Sequence, residues 1–274
     1  MATLFLVRHG RTKANADGIL AGWTPGLGLD EVGKGQAEKL GARMAGIPVT
    51  GLVTSPLDRC QETAGVVGAA DGRPTPEVDE RLGEVRYGDW EGQKLAKLAK
   101  DPLWKVVQQH PSGVHFPGEG AESLRAMADR AVGAIREWDA RIEAEHGPDA
   151  IWVAVSHGDV IKAILADALS LHLDQFQRIV VDPCSVSVIR YTPLRSFVVR
   201  SNDSGGDLAA LVPPARKRRR TRRGTADSDA AIGGGAGSAS PADAGAGTST
   251  DTSAGTSTGR GRRGTPRPST ASST

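Results

Sequence analysis

Three short stretches of the sequence place imidazoles and guanidiniums directly after apolar runs: Arg8-His9-Gly10, Ser55-Pro56-Leu57-Asp58-Arg59 and Ser156-His157-Gly158. Two guanidiniums, the imidazoles and the donor end of a helix starting near Ser55 make an anion site. Guanidinium forks and unpaired backbone N–H groups match the oxygens of a phosphate. With no Cys, Ser or Asp nucleophile in evidence at such a site, His9 is left as the candidate. A neutral imidazole can attack phosphorus and hold the phosphoryl group for a time, which divides one difficult displacement into two. The arginines then stabilise charge on the transferring group, and no metal is demanded.

These residues need elements to hold them. Residues 3–7 and 51–54 read as buried strands, as do residues 150–155. Residues 30–45 read as a helix, with Val32, Gln36/Ala37, Leu40 and Met44 on one face and an acidic first turn. Ser55 looks like an N-cap with Pro56 at the first helical position. The longest periodic segment is 122–145, where Leu124, Met127/Ala128, Ala131, Ile135, Trp138 and Ile142 recur at helical spacing. Residues 159–169 resume that spacing, and 185–191 and 197–200 alternate like strands. Alternating strands and helices predict a three-layer α/β/α domain with a mostly parallel mixed sheet. In such sheets ligands bind beyond the carboxyl ends of the strands. If the three apolar strands are neighbours, their polar loops share one rim.

Charge divides the chain. Its 274 residues carry a net +2, but residues 213–274 hold 11 basic and 4 acidic groups, leaving residues 1–212 at −5. Beyond Phe197 there is no aromatic residue, and beyond Val212 the one large aliphatic residue is Ile232. A segment so poor in apolar groups cannot offset the entropy of ordering it. The expected division is a catalytic domain over 1–203 and a disordered basic tail over 204–274, rich in Gly, Ala, Ser and Thr. Cys60 and Cys184 are too few for a disulfide framework, and the N-terminus lacks signal-peptide features. No apolar run reaches the length of a membrane span. A soluble cytoplasmic protein is expected.

The motifs run in a recognisable order. Residues 6–15 (Leu-Val-Arg-His-Gly-Arg-Thr-Lys-Ala-Asn), 55–63 (Ser-Pro-Leu-Asp-Arg-Cys-Gln-Glu-Thr), Leu82-Gly83-Glu84 through Gly88-Asp89-Trp90-Glu91-Gly92, and Val155-Ser156-His157-Gly158 resemble the histidine phosphatase superfamily. The branch is the one with cofactor-dependent phosphoglycerate mutases and small-molecule phosphatases, and within it the chain is similar to a group of actinobacterial phosphomutases. The resemblance covers about 200 residues, and four ordered motifs make it specific. It implies that His9 is the phosphorylated nucleophile, that Arg8, Arg59 and His157 surround the phosphoryl group, that Glu84 protonates the leaving oxygen, and that Asn15 helps to bind phosphate. No metal or cofactor is implied. The expected partner is a small phosphorylated metabolite. The activity implied is hydrolysis of a phosphomonoester, with a phosphomutase as the alternative and a phospholigand-binding module as a further one.

The chain also departs from the pattern. Arg11 stands where Glu or a small polar residue is usual, which would make the pocket mouth more cationic. Gly26-Leu27-Gly28-Leu29-Asp30 replaces a common Pro-Leu-Thr, although Asp30 can still cap. The segment around Tyr87 resembles phosphatases more than glycerate mutases, and the long mutase-type insertion is missing. Glu91 competes with Glu84 for the acid role. Cys60 reads as a small helix residue, and His110, His115, His146 and His172 have no partner motif. Residues 118–123 read as a loop leading to the cap of the long helix. The loops 19–29 and 104–122 are expected to select the substrate. The basic block at residues 216–223 could bind a polyanion weakly and without sequence preference, since no aromatic residue is present to stack on bases.

Overall fold

A computed structural model describes residues 2–70, 72–206 and 232–235. β1 (Thr3–Arg8) leads through the short α1 (Lys13–Ala16) to α2 (Glu31–Met44), then β2 (Val49–Thr54), α3 (Asp58–Gly68) and the two-residue β3 (Glu77–Val78). Two short helices, α4 (Leu95–Leu98) and α5 (Pro102–Gln109), precede the long α6 (Leu124–His146). β4 (Ile151–Ser156), α7 (Gly158–Ala168), β5 (Val186–Tyr191) and β6 (Ser196–Asp203) complete the domain.

The strands form one sheet in the order β3-β2-β4-β1-β5-β6. β1, β2, β3 and β4 pair in parallel, whereas β5 and β6 are antiparallel to their neighbours. Alternation along the strands divides the core, since successive side chains leave opposite faces of a sheet. Leu4, Leu6, Trp152 and Ala154 join α6 and α7 in one apolar cluster. Val7, Val153 and Val155 join α2 and α3 in the other. The three-layer α/β/α architecture with a mostly parallel mixed sheet agrees with the sequence reading.

The long helix is buried along its expected stripe, at Leu124, Met127, Ala131, Ile135, Trp138 and Ile142. Asp139 is buried there too, and accepts a hydrogen bond from Trp152 Nε1 at 2.9 Å. α2 differs in its first turn, where Gly33 is buried and Val32 only partly so. The loop after His9 lies against this turn: a Cβ on Gly33 would sit 2.0 Å from the Arg11 carbonyl oxygen, and one on Gly10 would sit 2.6 Å from that of Gly33. Two glycines therefore let α2 approach the histidine loop. Asp30 caps α2 through Gly33 N (2.8 Å), and Ser123 caps α6 through Ala126 N (3.0 Å), as expected.

Two expectations need correction. α3 begins at Asp58 rather than next to Ser55, and its N-cap residue, Leu57, makes no side-chain cap. The Ser55 hydroxyl is instead spent on His157 (2.7 Å) while also accepting from Leu57 N (3.3 Å). Within the stretch 104–122, read as loop, α5 runs to Gln109, with Asp101 capping Leu103 N at 2.8 Å and Pro102 in its first turn. That pairing was visible in the sequence. The expected tail, 204–274, lies mostly outside the described residues. Of it, residues 204–206 and 232–235 are described, and 232–235 lie against the domain.

Candidate active site

The order β2-β4-β1 brings the three polar loops to one rim. Arg8 pairs with Ser156 and Thr54 with Val155, so all three loops leave the sheet at nearly one level. Arg8, His9, Arg59, Glu84 and His157 are each at most 3% exposed. His9, Asn15, Arg59 and Glu84 line a cavity whose apolar side is formed by Ile19, Leu20, Tyr87 and Leu95. His157 is fully buried, with its ring centroid 5.2 Å from that of His9.

Local geometry prepares the histidine. His9 Nδ1 lies 2.7 Å from the Gly10 carbonyl oxygen, an acceptor only, so Nδ1 carries the proton and donates. Nε2 is left with its lone pair. Burial, then the charges of Arg59 and Arg8, hold the His9 pKa well below the usual histidine value, so the ring is neutral at physiological pH. His157 is lowered in the same direction by burial and by Arg59. The acceptor that orients His9 was not legible in the sequence because it is the next residue's carbonyl in a loop conformation.

Glu84 is shifted the opposite way. Burial and the neighbouring Asp159 carboxylate raise its pKa to about 7, which keeps a carboxylic acid available near neutrality. Its backbone is held from several sides. Arg130 on α6 donates to the carbonyls of Gly83 (2.9 Å) and Glu84 (3.0 Å), and Trp23 Nε1 donates to the Glu84 carbonyl (2.5 Å). Ser156 Oγ donates to the Leu82 carbonyl (2.7 Å), tying the end of β4 to the same loop. Sequence reasoning missed Arg130, Trp23 and Ser55 as supports, since each acts from a distant element.

The rival acid, Glu91, accepts from Tyr87 N at 3.1 Å and does not line the cavity. Asn15 Oδ1 is taken by Thr12 N (3.1 Å) and Thr12 Oγ1 (3.0 Å), which leaves its NH2 end for a ligand. Arg59 Nη2 donates to the Gly22 carbonyl (2.8 Å). Arg11 does not widen the cationic mouth. Its Nε donates to Asp30 Oδ2 (2.8 Å), which neutralises it, and it is absent from the cavity wall. The loop around 19–22 lines the cavity as expected, whereas residues 104–122 do not. His110, His115, His146 and His172 are also absent from the wall. Burial raises the Cys60 pKa to about 12, so its thiol is inert beside His157. Among the described residues no group of three or more His, Cys, Asp or Glu side chains is placed to hold a metal ion.

The sequence model of the histidine phosphatase superfamily, branch 1, matches residues 4–204. The chain belongs to the histidine phosphatase superfamily. As a member it is 31% identical, over 67% of its length and 83% of the relative's, to 2,3-bisphosphoglycerate-dependent phosphoglycerate mutase 2 of Gloeobacter violaceus. It is 30% identical to a probable phosphoglycerate mutase of Yersinia pestis, over 78% and 97% of the two chains. Among solved structures it resembles Bacillus stearothermophilus YhfR, with TM-score 0.65 and 29% identity over 74% of this chain and 98% of that one. It also resembles a mycobacterial glucosyl-3-phosphoglycerate phosphatase solved with VO3, with TM-score 0.65 and 27% identity over 73% and 98%. The histidine phosphatase fold thus accounts for the described domain, and the relatives include both mutases and phosphatases.

Proposed function

We propose that this chain is a metal-independent phosphatase that hydrolyses a small phosphomonoester through a phosphohistidine on His9. The observation that carries the reading is the opposed tuning of two buried groups on one rim: a neutral His9 and a Glu84 titrating near 7. The His9 Nε2 lone pair attacks phosphorus while the P–O ester bond breaks. Glu84 gives its proton to the leaving oxygen, because an alkoxide is a poor leaving group. As carboxylate it then takes a proton from water, which attacks phosphorus and breaks the P–N bond. Orthophosphate leaves, and the His9 lone pair and the Glu84 proton are both restored. Arg8, Arg59, His157 and the Asn15 amide bind the phosphoryl oxygens throughout. That the mycobacterial relative was solved in complex with VO3 supports an oxyanion ligand for this chain.

Hydrolysis of p-nitrophenyl phosphate and of a metabolite panel in EDTA tests this. Activity should persist in EDTA and disappear in His9→Ala. Loss with EDTA, or retention in the variant, overturns the mechanism. A second reading, phosphoryl transfer back to another oxygen of the substrate, is favoured by the mutase relatives. Rapid phosphate release without a bisphosphorylated primer separates the two. We place the protein in the cytoplasm; no helix among the described residues is long and apolar enough to cross a membrane. The catalytic unit is assigned to residues 1–203. The basic block at 216–223 is assigned a weak, salt-sensitive contact with polyanions.

A further inference from the structure

The cavity beside His9 holds a piece of this chain. Ile232 is 1% exposed and belongs to the same apolar cluster as Leu20 and Tyr87, while Gly233 and Gly235 line the cavity next to His9, Arg59 and Glu84. The polar contacts are specific. Arg8 Nη2 donates to the carbonyl oxygens of Gly233 (3.1 Å) and Gly235 (2.6 Å). Gly233 N donates to Asp159 Oδ2 (3.0 Å), and that carboxylate is held by Tyr87 Oη (2.9 Å) and Lys162 Nζ (3.2 Å). Gly233 and Gly235 have φ of 71° and 57°, a left-handed backbone that glycine adopts without strain and that turns two nearby carbonyls onto one guanidinium. The free volume left in the cavity is about 20 Å³, room for about one water. A phosphorylated substrate does not fit beside the segment.

We propose that residues 232–235 are an intramolecular ligand of the active site, competing with substrate for Arg8. This rests on the phosphatase reading in taking Arg8 as a phosphate ligand. The segment offers Arg8 neutral carbonyls where a phosphate offers charged oxygens, and charge-assisted bonds are roughly twice as strong. A good substrate therefore displaces it, while weakly binding anions do not. Because the segment belongs to the same chain, its binding is intramolecular, which favours occupancy over that of a free ligand. The sequence carries the mark of this role: a single large aliphatic residue followed by three glycines in an otherwise small and polar stretch.

The test uses the full chain, Ile232→Asp and Gly233→Val. The first removes the apolar anchor and the second strains the left-handed turn. Steady-state hydrolysis of p-nitrophenyl phosphate, calorimetric binding of orthovanadate and hydrogen exchange at the Gly233 amide region are measured. Each variant should lower KM and the vanadate Kd by one common factor of about tenfold, the scale of one buried aliphatic side chain. kcat should be unchanged, protection at residues 232–235 should be lost, and a synthetic peptide of residues 228–239 should inhibit the variants competitively. Unchanged KM and Kd, or a rise in both, overturns the proposal, the rise marking a segment that closes over bound substrate. If no protein hydrolyses the ester yet the variants bind vanadate more tightly, the phosphatase reading fails and the competing segment stands. Equal vanadate affinity removes the segment whatever the activity.

Discussion

The two rims of the sheet differ in a way that separates size from chemistry. At the carboxyl ends of β1, β2 and β4, a narrow cavity is lined by His9, Arg59 and Glu84, with Arg8 and His157 on the same rim, all nearly excluded from water. At the other end a concavity of about 950 Å³ opens between α6, α7 and the β5–β6 hairpin. One of its ion pairs is open to solvent: Arg136 meets Asp167 at 2.9 Å with its side chain 62% exposed. Leu194, on its wall, is 87% exposed. Water screens that ion pair. Burial on the first rim pushes a histidine and a glutamate towards neutral forms, one an available base and the other an available acid. The small rim thus gathers buried ionisable groups around His9, whereas the large one is wide and open to solvent.

That contrast can be broken by substitution. His9→Ala should lower kcat by about 10⁴-fold or more, measured by phosphate release, because no other group on the rim takes its place as nucleophile. Glu84→Gln should cost about 10²- to 10⁴-fold with an alkyl phosphate and much less with p-nitrophenyl phosphate, whose leaving group needs little protonation. Equal losses on both substrates would remove Glu84 from the acid role.

In the wild type, kcat/KM should fall about tenfold per pH unit above roughly 7 as Glu84 loses its proton, and should also fall on the acid side, below the usual histidine range, as His9 gains one. A flat profile between pH 7 and 9 would contradict the buried acid. The same shift has a stability sign. Folding raises the Glu84 pKa, so its contribution is fully present below the ordinary carboxylate value and is lost as pH rises through about 7. Glu84→Gln should then melt a few degrees above the wild type at pH 8, a gap that closes by pH 4. On the wide rim, Arg136→Ala should leave kcat/KM within twofold and stability within about 0.5 kcal/mol. A large loss of activity there would overturn the contrast between the rims.

Arg8, His9, Arg59 and His157 were legible because each follows an apolar run, and strand ends facing one way are where α/β folds gather ligands. The strands, α2, α6 and α7 were legible for a similar reason: burial on one face imposes a period on the sequence. The start of α3 was misplaced because Ser55 has two available partners, and local pattern cannot weigh a distant histidine against a backbone N–H. Arg11 was misjudged because Asp30, nineteen residues on, is folded back beside it.

What the sequence by itself determined is the layered fold, the order of its motifs and the identity of the groups on the reactive rim, since these follow from periodicity and from residue type. Tertiary structure alone decided which nitrogen of His9 is free, how far burial moves Glu84, and that Ile232-Gly233-Gly234-Gly235 meets Arg8 across more than two hundred residues. Those outcomes depend on desolvation and on contacts between remote segments, and neither is written in any local stretch of chain.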